Sequence, residues 1–176
     1  MRRVLCVILV TLITILCVGC SSSVGTSTEK LGTRKNPAKL NETVRVKVDS
    51  ILGKGIIELT MTEIIRGAEA ARKMQQASSL NGDAPEGKEF ILAKFSVAFI
   101  ENQSDDDSPL EVSSWQFNYA SSTFALNNHF LIMFIENELN LTLCEGASGE
   151  GYVLLIADKD DAGYAVFNDN IWFALS

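Results

Sequence analysis

Val44, Val46 and Val48 alternate with Arg45, Lys47 and Asp49, the period-two signature of a strand with one buried face. Gly53 and Gly55 then mark a turn. Ile57, Leu59 and Met61 alternate with Glu58, Thr60 and Thr62, which predicts a second strand and a hairpin. The alternation slips at Glu63-Ile64-Ile65, so a bulge or a strand end is expected there. From Gly67 to Leu80 the rhythm changes. Ala, Glu, Lys, Met and Gln dominate that stretch, all strong helix formers, and Ala68, Ala71, Met74 and Ser78 fall on one side. A short helix over about residues 67–80 is predicted, followed by a loop at Asn81–Gly87.

Phe90–Ile100 is the most apolar segment of the β type. Ile91, Ala93, Phe95, Val97 and Phe99 line one face, with Leu92, Ala98 and Ile100 on the other, so this strand belongs in the middle of a sheet. Trp115, Phe117 and Tyr119 alternate with polar neighbours, and further strands are expected at 130–135, 139–143, 151–157, 163–167 and 171–175. About eight or nine short strands separated by turns define an all-β chain. The expected architecture is an antiparallel sandwich or barrel over residues 41–176 with a helical insert.

The N-terminal pattern is of a different kind. Met1-Arg2-Arg3 precedes an apolar run from Val4 to Val18. As a helix that run reaches only ~22 Å, short of a ~30 Å hydrocarbon core. A charged start and a short apolar stretch followed by small residues read as a signal peptide over residues 1–19. Residues 20–40 are rich in Ser, Gly, Thr and charged groups and read as a flexible tether holding the domain roughly 25 Å from its attachment point.

Cys17-Val18-Gly19-Cys20 closes the leader. In its place at the end of an apolar leader this stretch resembles a bacterial lipobox, not a redox pair. The resemblance makes Gly19 the small residue before the cleavage point and Cys20 the residue that is diacylglyceryl-modified and becomes the new N-terminus. Cys17 stands where such signals usually carry Leu. Two or more acyl chains, palmitate among them, hold a protein stably on a membrane where one does not. In a two-membrane cell, Ser21 after the modified Cys implies, again by resemblance, the outer membrane.

Composition sharpens this picture. Lys and Arg number 15 against 22 Asp and Glu, a formal net charge of −7. Loss of the leader removes Arg2 and Arg3 and leaves the remainder at −9. Such an acidic chain is not built to bind nucleic acid, which requires Lys and Arg against phosphates. The single His, His129, excludes any site needing two imidazoles. Of the four Cys only Cys20 and Cys144 survive removal of the leader, and a lipid on Cys20 leaves Cys144 without a disulfide partner.

Three stretches in order resemble the bacterial DUF4352 (telokin-like, immunoglobulin-like) lipoprotein domain. They are Asn36-Pro37-Ala38-Lys39-Leu40-Asn41-Glu42-Thr43-Val44, Pro85 to Val97, and the turn Leu143-Cys144-Glu145-Gly146-Ala147-Ser148-Gly149. Ile65-Arg66-Gly67-Ala68-Glu69-Ala70 is similar to the helical insert of some members. The resemblance covers roughly residues 36–176. It implies an immunoglobulin-like sandwich on a surface lipoprotein with no agreed activity. Glu145 stands where a proline often precedes the Gly.

No complete catalytic set emerges. Gly146-Ala147-Ser148-Gly149 approaches the G-x-S-x-G elbow, but the second Gly comes one place early and no His follows. Cys144 with His129 would be a nucleophile and base, against the simpler reading of Cys144 as a small buried hydrophobe at a strand end. Asp105, Asp106 and Asp107 offer oxygen ligands of the kind calcium takes, without the spacing of a calcium loop. Asp158, Asp160 and Asp161 form a second acidic turn with the same choice between a solvated turn and a calcium site, and the case for a metal would strengthen if the two clusters met. Trp115, Tyr119 and Trp172 are candidate ligand-binding aromatics. Lys30, Arg34, Lys35 and Lys39 could touch anionic lipid, although thinly spread.

The expected protein is therefore a non-enzymatic, extracytoplasmic lipoprotein without a cofactor. Its partners are the membrane, through the lipid, and an unidentified protein, peptide or envelope component. The alternatives are a calcium-binding module or a hydrolase inhibitor that inserts a loop such as Asn81–Lys88.

Overall fold

The alternating segments become strands in a computed structural model, which describes residues 30–127 and 133–176. The leader, Gly19, Cys20 and His129 lie outside the described residues. In chain order the elements are β1 (Thr43–Ser50), β2 (Gly53–Arg66), α1 (Gly67–Ala77), β3 (Lys88–Asn102), β4 (Leu110–Ser113), a 3-10 turn at Ser114–Gln116, β5 (Phe117–Ala120), β6 (Leu126–Asn127), β7 (Asn140–Leu143), β8 (Ser148–Asp158), β9 (Tyr164–Phe167) and β10 (Ile171–Ala174). One antiparallel sheet runs β1-β2-β3-β8 and a second runs β10-β9-β5-β6, with β4 and β7 as a separate ribbon. The fold is an antiparallel β-sandwich with a short helical insert, as the patterning predicts.

The two sheets close on one core. Val44, Val46 and Val48 of β1, Ile57, Leu59 and Met61 of β2, and the Ile91–Phe99 face of β3 point inward to meet Phe117, Phe167 and Phe173 from the other sheet. Phe95 sits at the centre, its ring centroid 4.5 Å from Phe117 and 5.1 Å from Phe173. Each fully buried side chain of this size contributes about 1.5–3 kcal/mol. The extreme apolarity of β3 is explained by its position, paired with β2 on one side and β8 on the other.

The slip in β2 is a bulge, and the strand continues through it. Met61 lies opposite Phe95 and Glu63 opposite Lys94, so Thr62 is the extra residue. Because side chains alternate faces, one added residue inverts the phase of everything after it. Ile64 therefore packs on the main core, and Ile65 turns to the outer face of the sheet. There Ile65, Phe90, Leu92 and Ile156 make a second, smaller core under α1.

The helix meets this patch through Met74 and Ala71 of the expected stripe, but rotated so that Ala70 takes the place expected of Ala68. Ala70 and Met74 are buried, Ala71 is half-buried, and Ala68 is exposed. The sheet beneath fixes the rotation of the helix, and the apolar pattern of α1 alone did not define it. Asn81, buried after the helix, donates to the Met74 carbonyl at 2.6 Å and the Phe134 carbonyl at 2.8 Å, and accepts from the Phe134 N–H at 2.9 Å. It pins residues 133–135 beside the helix, where Met133 and Ile135 join the second core. Of the strand expected at 130–135, residues 130–132 lie outside the described residues, and Met133–Ile135 is not strand.

Two further expectations change. The tether expected over residues 20–40 is shorter at its C-terminal end, because Leu31 to Ala38 docks on β10. The Gly32 carbonyl accepts from the Trp172 N–H, the Ala38 N–H donates to the Trp172 carbonyl, and the Ala38 carbonyl accepts from the Ala174 N–H, all at 2.8–2.9 Å. Ala38 is fully buried, whereas Leu40 is exposed. The second change is at Trp115-Gln116-Phe117, where the alternation predicted one strand. The Gln116 side chain caps the Ser113 N–H at 2.8 Å and winds the chain into the 3-10 turn, which separates Trp115 from Phe117 and Tyr119.

Candidate functional site

The docked N-terminal segment brings the chain to an aromatic face on the outer side of the second sheet. Trp172 on β10 and Tyr164 on β9 project from it, and the turn after β5 adds Phe124. Phe124 stacks on Tyr164 at 5.5 Å with the rings 15° apart, and both make edge contacts with Trp172, at 5.9 and 5.6 Å. Trp172 is only 7% exposed, so it is the floor of the cluster, while Phe124 is 43% exposed and forms its surface. Leu126 is exposed on the same strand-turn unit. Arg34, from the docked segment, places its guanidinium 5.5 Å from the Phe124 ring centre, within cation–π range.

Phe124 holds this position with φ at +66°, a left-handed conformation that an aromatic residue seldom adopts. The turn around it keeps it there: the Phe124 N–H donates to the Ser121 carbonyl at 2.8 Å, and the Ser121 N–H to the Ala125 carbonyl at 2.9 Å. Of the three candidate aromatics, then, Trp172 belongs to a surface cluster. Trp115 lies outside that cluster, on the 3-10 turn and 65% exposed. Tyr119 is buried in the core.

The Tyr119 hydroxyl belongs to a polar knot at the end of the sandwich. It donates to the Asp161 carboxylate, which also accepts from the Ser122 N–H at 2.9 Å. These bonds, Ser122 first and Tyr119 next, hold the Asp161 carboxyl below the usual range. Burial, reinforced by Asp161, pushes the Tyr119 phenol above its ordinary value. Arg66 completes the knot, 2.7 Å from both Glu89 and the Asp161 carbonyl and 3.2 Å from the Leu175 carbonyl. Every group in it faces a partner, and its role is to tie β2, β3, the β8–β9 turn and the C-terminal strand together.

The two acidic clusters do not meet. Asp105–Asp107 follows the end of β3 at Asn102, whereas Asp158 pairs with Lys88 at its beginning, 14 residues and about 46 Å away along the strand. Asp106 is turned toward its own loop, accepting from the Ser108 hydroxyl and N–H, and these bonds hold its carboxyl below the usual range. Among the described residues no group of three His, Cys, Asp or Glu side chains is placed to hold a metal ion. Asp105 instead borders an open cleft of roughly 510 Å³ between the β1–β2 hairpin tip and the β3–β4 loop, with Asp49, Lys54 and Glu111 on its walls. Ile51 projects fully exposed at that tip.

The remaining candidates sit in turns. Cys144 is not the buried hydrophobe expected at a strand end: it is exposed in the turn between β7 and β8. Ser148 opens β8, so Gly146–Gly149 joins two strands and lacks the strand-to-helix turn that a nucleophile elbow needs. Gly146 is the glycine that takes a positive φ, +82°, within that hairpin. Asn81–Lys88 is held at both ends: Asn81 by the bonds above, and Lys88 by a salt bridge to Asp158 at 2.6 Å.

No family model, curated protein or solved structure matches this chain. Its class rests on the fold itself, an antiparallel sandwich with a helical insert and an N-terminal segment docked beside an aromatic face.

Proposed function

We propose that the chain is a membrane-anchored extracytoplasmic lipoprotein carrying a non-catalytic interaction domain, of the DUF4352 kind that its sequence resembles. The observation that carries this reading is the position of Gly19-Cys20: it follows a short apolar leader and precedes the first docked residue, Leu31, by only eleven positions. A diacylglyceryl group on Cys20 would fasten the sandwich close to a bilayer. The cleft at the β1–β2 tip supports the interaction role. It lies about 23 Å along β1 from Thr43, at the opposite end of the strand from Val44, against which Gly32 of the docked segment lies, and it is open to a protein or peptide partner.

Cys20→Ala tests the anchor. The variant is expected to accumulate as an unprocessed or mis-sorted precursor that no longer incorporates labelled fatty acid. A variant that is processed and retained on membranes as before contradicts it.

A further inference from the structure

The charge of the chain is unevenly placed. Residues 30–39 hold Lys30, Arg34, Lys35 and Lys39 and no acidic side chain, whereas residues 40–176 hold nine basic residues against twenty-one acidic ones. An anionic surface would repel the body of the domain and attract this one segment. In sequence the four cations are thinly spread. The fold gathers the segment by docking Leu31–Ala38 on β10, which sets Arg34 over Phe124. The result is an exposed aromatic ring with an exposed leucine and the Arg34 guanidinium beside it, on a segment that carries three further cations, the pairing that side chains use at the headgroup level of a bilayer.

The covalent geometry selects the occupant. Ten residues separate Cys20 from Lys30, and even fully extended they span no more than about 35 Å. A domain fastened at Cys20 therefore keeps its Lys30 end within that distance of the lipid. We infer that the Arg34–Phe124 face docks on an anionic membrane surface, with Phe124 and Leu126 at the headgroup level, Arg34 against lipid phosphates, and the net positive charge of residues 30–39 adding to the attraction. This inference rests on the lipid-anchor reading for its geometry. Docking on this face would orient the sandwich and fix which of its other surfaces remain open to partners.

The test uses a chain beginning at Ser21, which keeps the whole described sandwich and carries no lipid. Trp115→Phe makes Trp172, in edge contact with Phe124, the reporter. Vesicles of phosphatidylcholine alone are compared with vesicles one-quarter phosphatidylglycerol. The expected result is sedimentation with the anionic vesicles only, a change in Trp172 emission, and loss of both at about 0.5 M salt. Arg34→Glu with Lys35→Glu should weaken partitioning at least about tenfold, and Phe124→Ser should weaken it at unchanged charge. Lys47→Glu, on the outward face of β1, serves as the control and should cost much less.

No preference for anionic vesicles overturns the inference, as does a Lys47→Glu loss equal to that of the Arg34/Lys35 pair. Retained binding after Phe124→Ser would overturn the part played by the aromatic ring. Because the tested chain has no acyl group, failure here leaves the Cys20 reading standing, and an unmodified Cys20 in cells leaves this result untouched.

Discussion

Arg66 and Glu89 meet at 2.7 Å inside the end of the sandwich, and the bulge at Thr62 is what turns Arg66 toward Glu89. Without the extra residue the alternation of β2 would send Arg66 to the outer face and Ile65 inward. The same inversion supplies Ile65 to the patch beneath α1, so one residue sets both the polar knot and the helix seat.

Arg66→Ala leaves Glu89, only 11% exposed, without its cation and two carbonyls without a donor. A loss of about 2–3 kcal/mol is expected in urea unfolding. Arg66→Met combined with Glu89→Leu should cost clearly less than the two single changes added, because no charge is then left unpaired. Additive losses would show that the two residues act independently.

Asp161 gives the fold an acid limb. Its folded pKa lies below the ordinary 3.8, so its contribution is present above that value and is lost as pH falls through the lower, folded one. Tyr119 has the opposite sign: its pKa is raised above 10.0, so its contribution holds below pH 10 and fades above it. Thermal melts from pH 6 down to about pH 2 should fall less steeply for Asp161→Asn than for the unmodified chain. Parallel curves would remove Asp161 from the account.

Asn81→Leu removes one side chain that makes three hydrogen bonds, to Met74 and to both backbone groups of Phe134. Stability should drop by about 2 kcal/mol. Amide exchange should accelerate first at Phe134, whose N–H loses its acceptor, while the β2–β3 ladder stays protected.

Met74→Ala empties the centre of the second core, where Met74 is 1% exposed. A cost of about 2–4 kcal/mol is expected. Ala68→Ser, on the exposed side of the helix, should change stability by no more than about 0.5 kcal/mol. Met74 lies on both the expected and the observed stripe, so Ala68 is the discriminating position: if Ala68→Ser costs as much as Met74→Ala, the helix seats on Ala68 and not on Ala70.

What the sequence made legible was local. Period-two alternation located β1, β2 and β3, and the break in rhythm located both the bulge and α1, since each depends on neighbours within a few residues. Trp172 and Phe173 fall on opposite faces of the last strand as alternation requires. The rotation of α1 was not legible, because it is set by Ile65, Phe90 and Ile156 from three different strands. The docking of Leu31–Ala38 was hidden for a similar reason: its polar composition matches a tether, and its hydrogen bonds go to strand β10 more than 130 residues later.

The aromatic face was half visible. Trp172 stood out, but Phe124 and Tyr164 come from a turn and a strand that only the β5–β9 pairing brings together. Tyr119 shows the reverse case, where an amphipathic side chain that suits a groove is drawn inside by a partner, Asp161, 42 residues away. The Arg34–Phe124 contact had no sequence signal at all.

The most direct measurement is the intact mass and N-terminal peptide mass of the chain extracted from the membranes of its own cells. The account predicts a chain that begins at residue 20, with its cysteine carrying a diacylglyceryl group and the first nineteen residues gone. A chain recovered with that cysteine bare, or still joined to the leader, would contradict it.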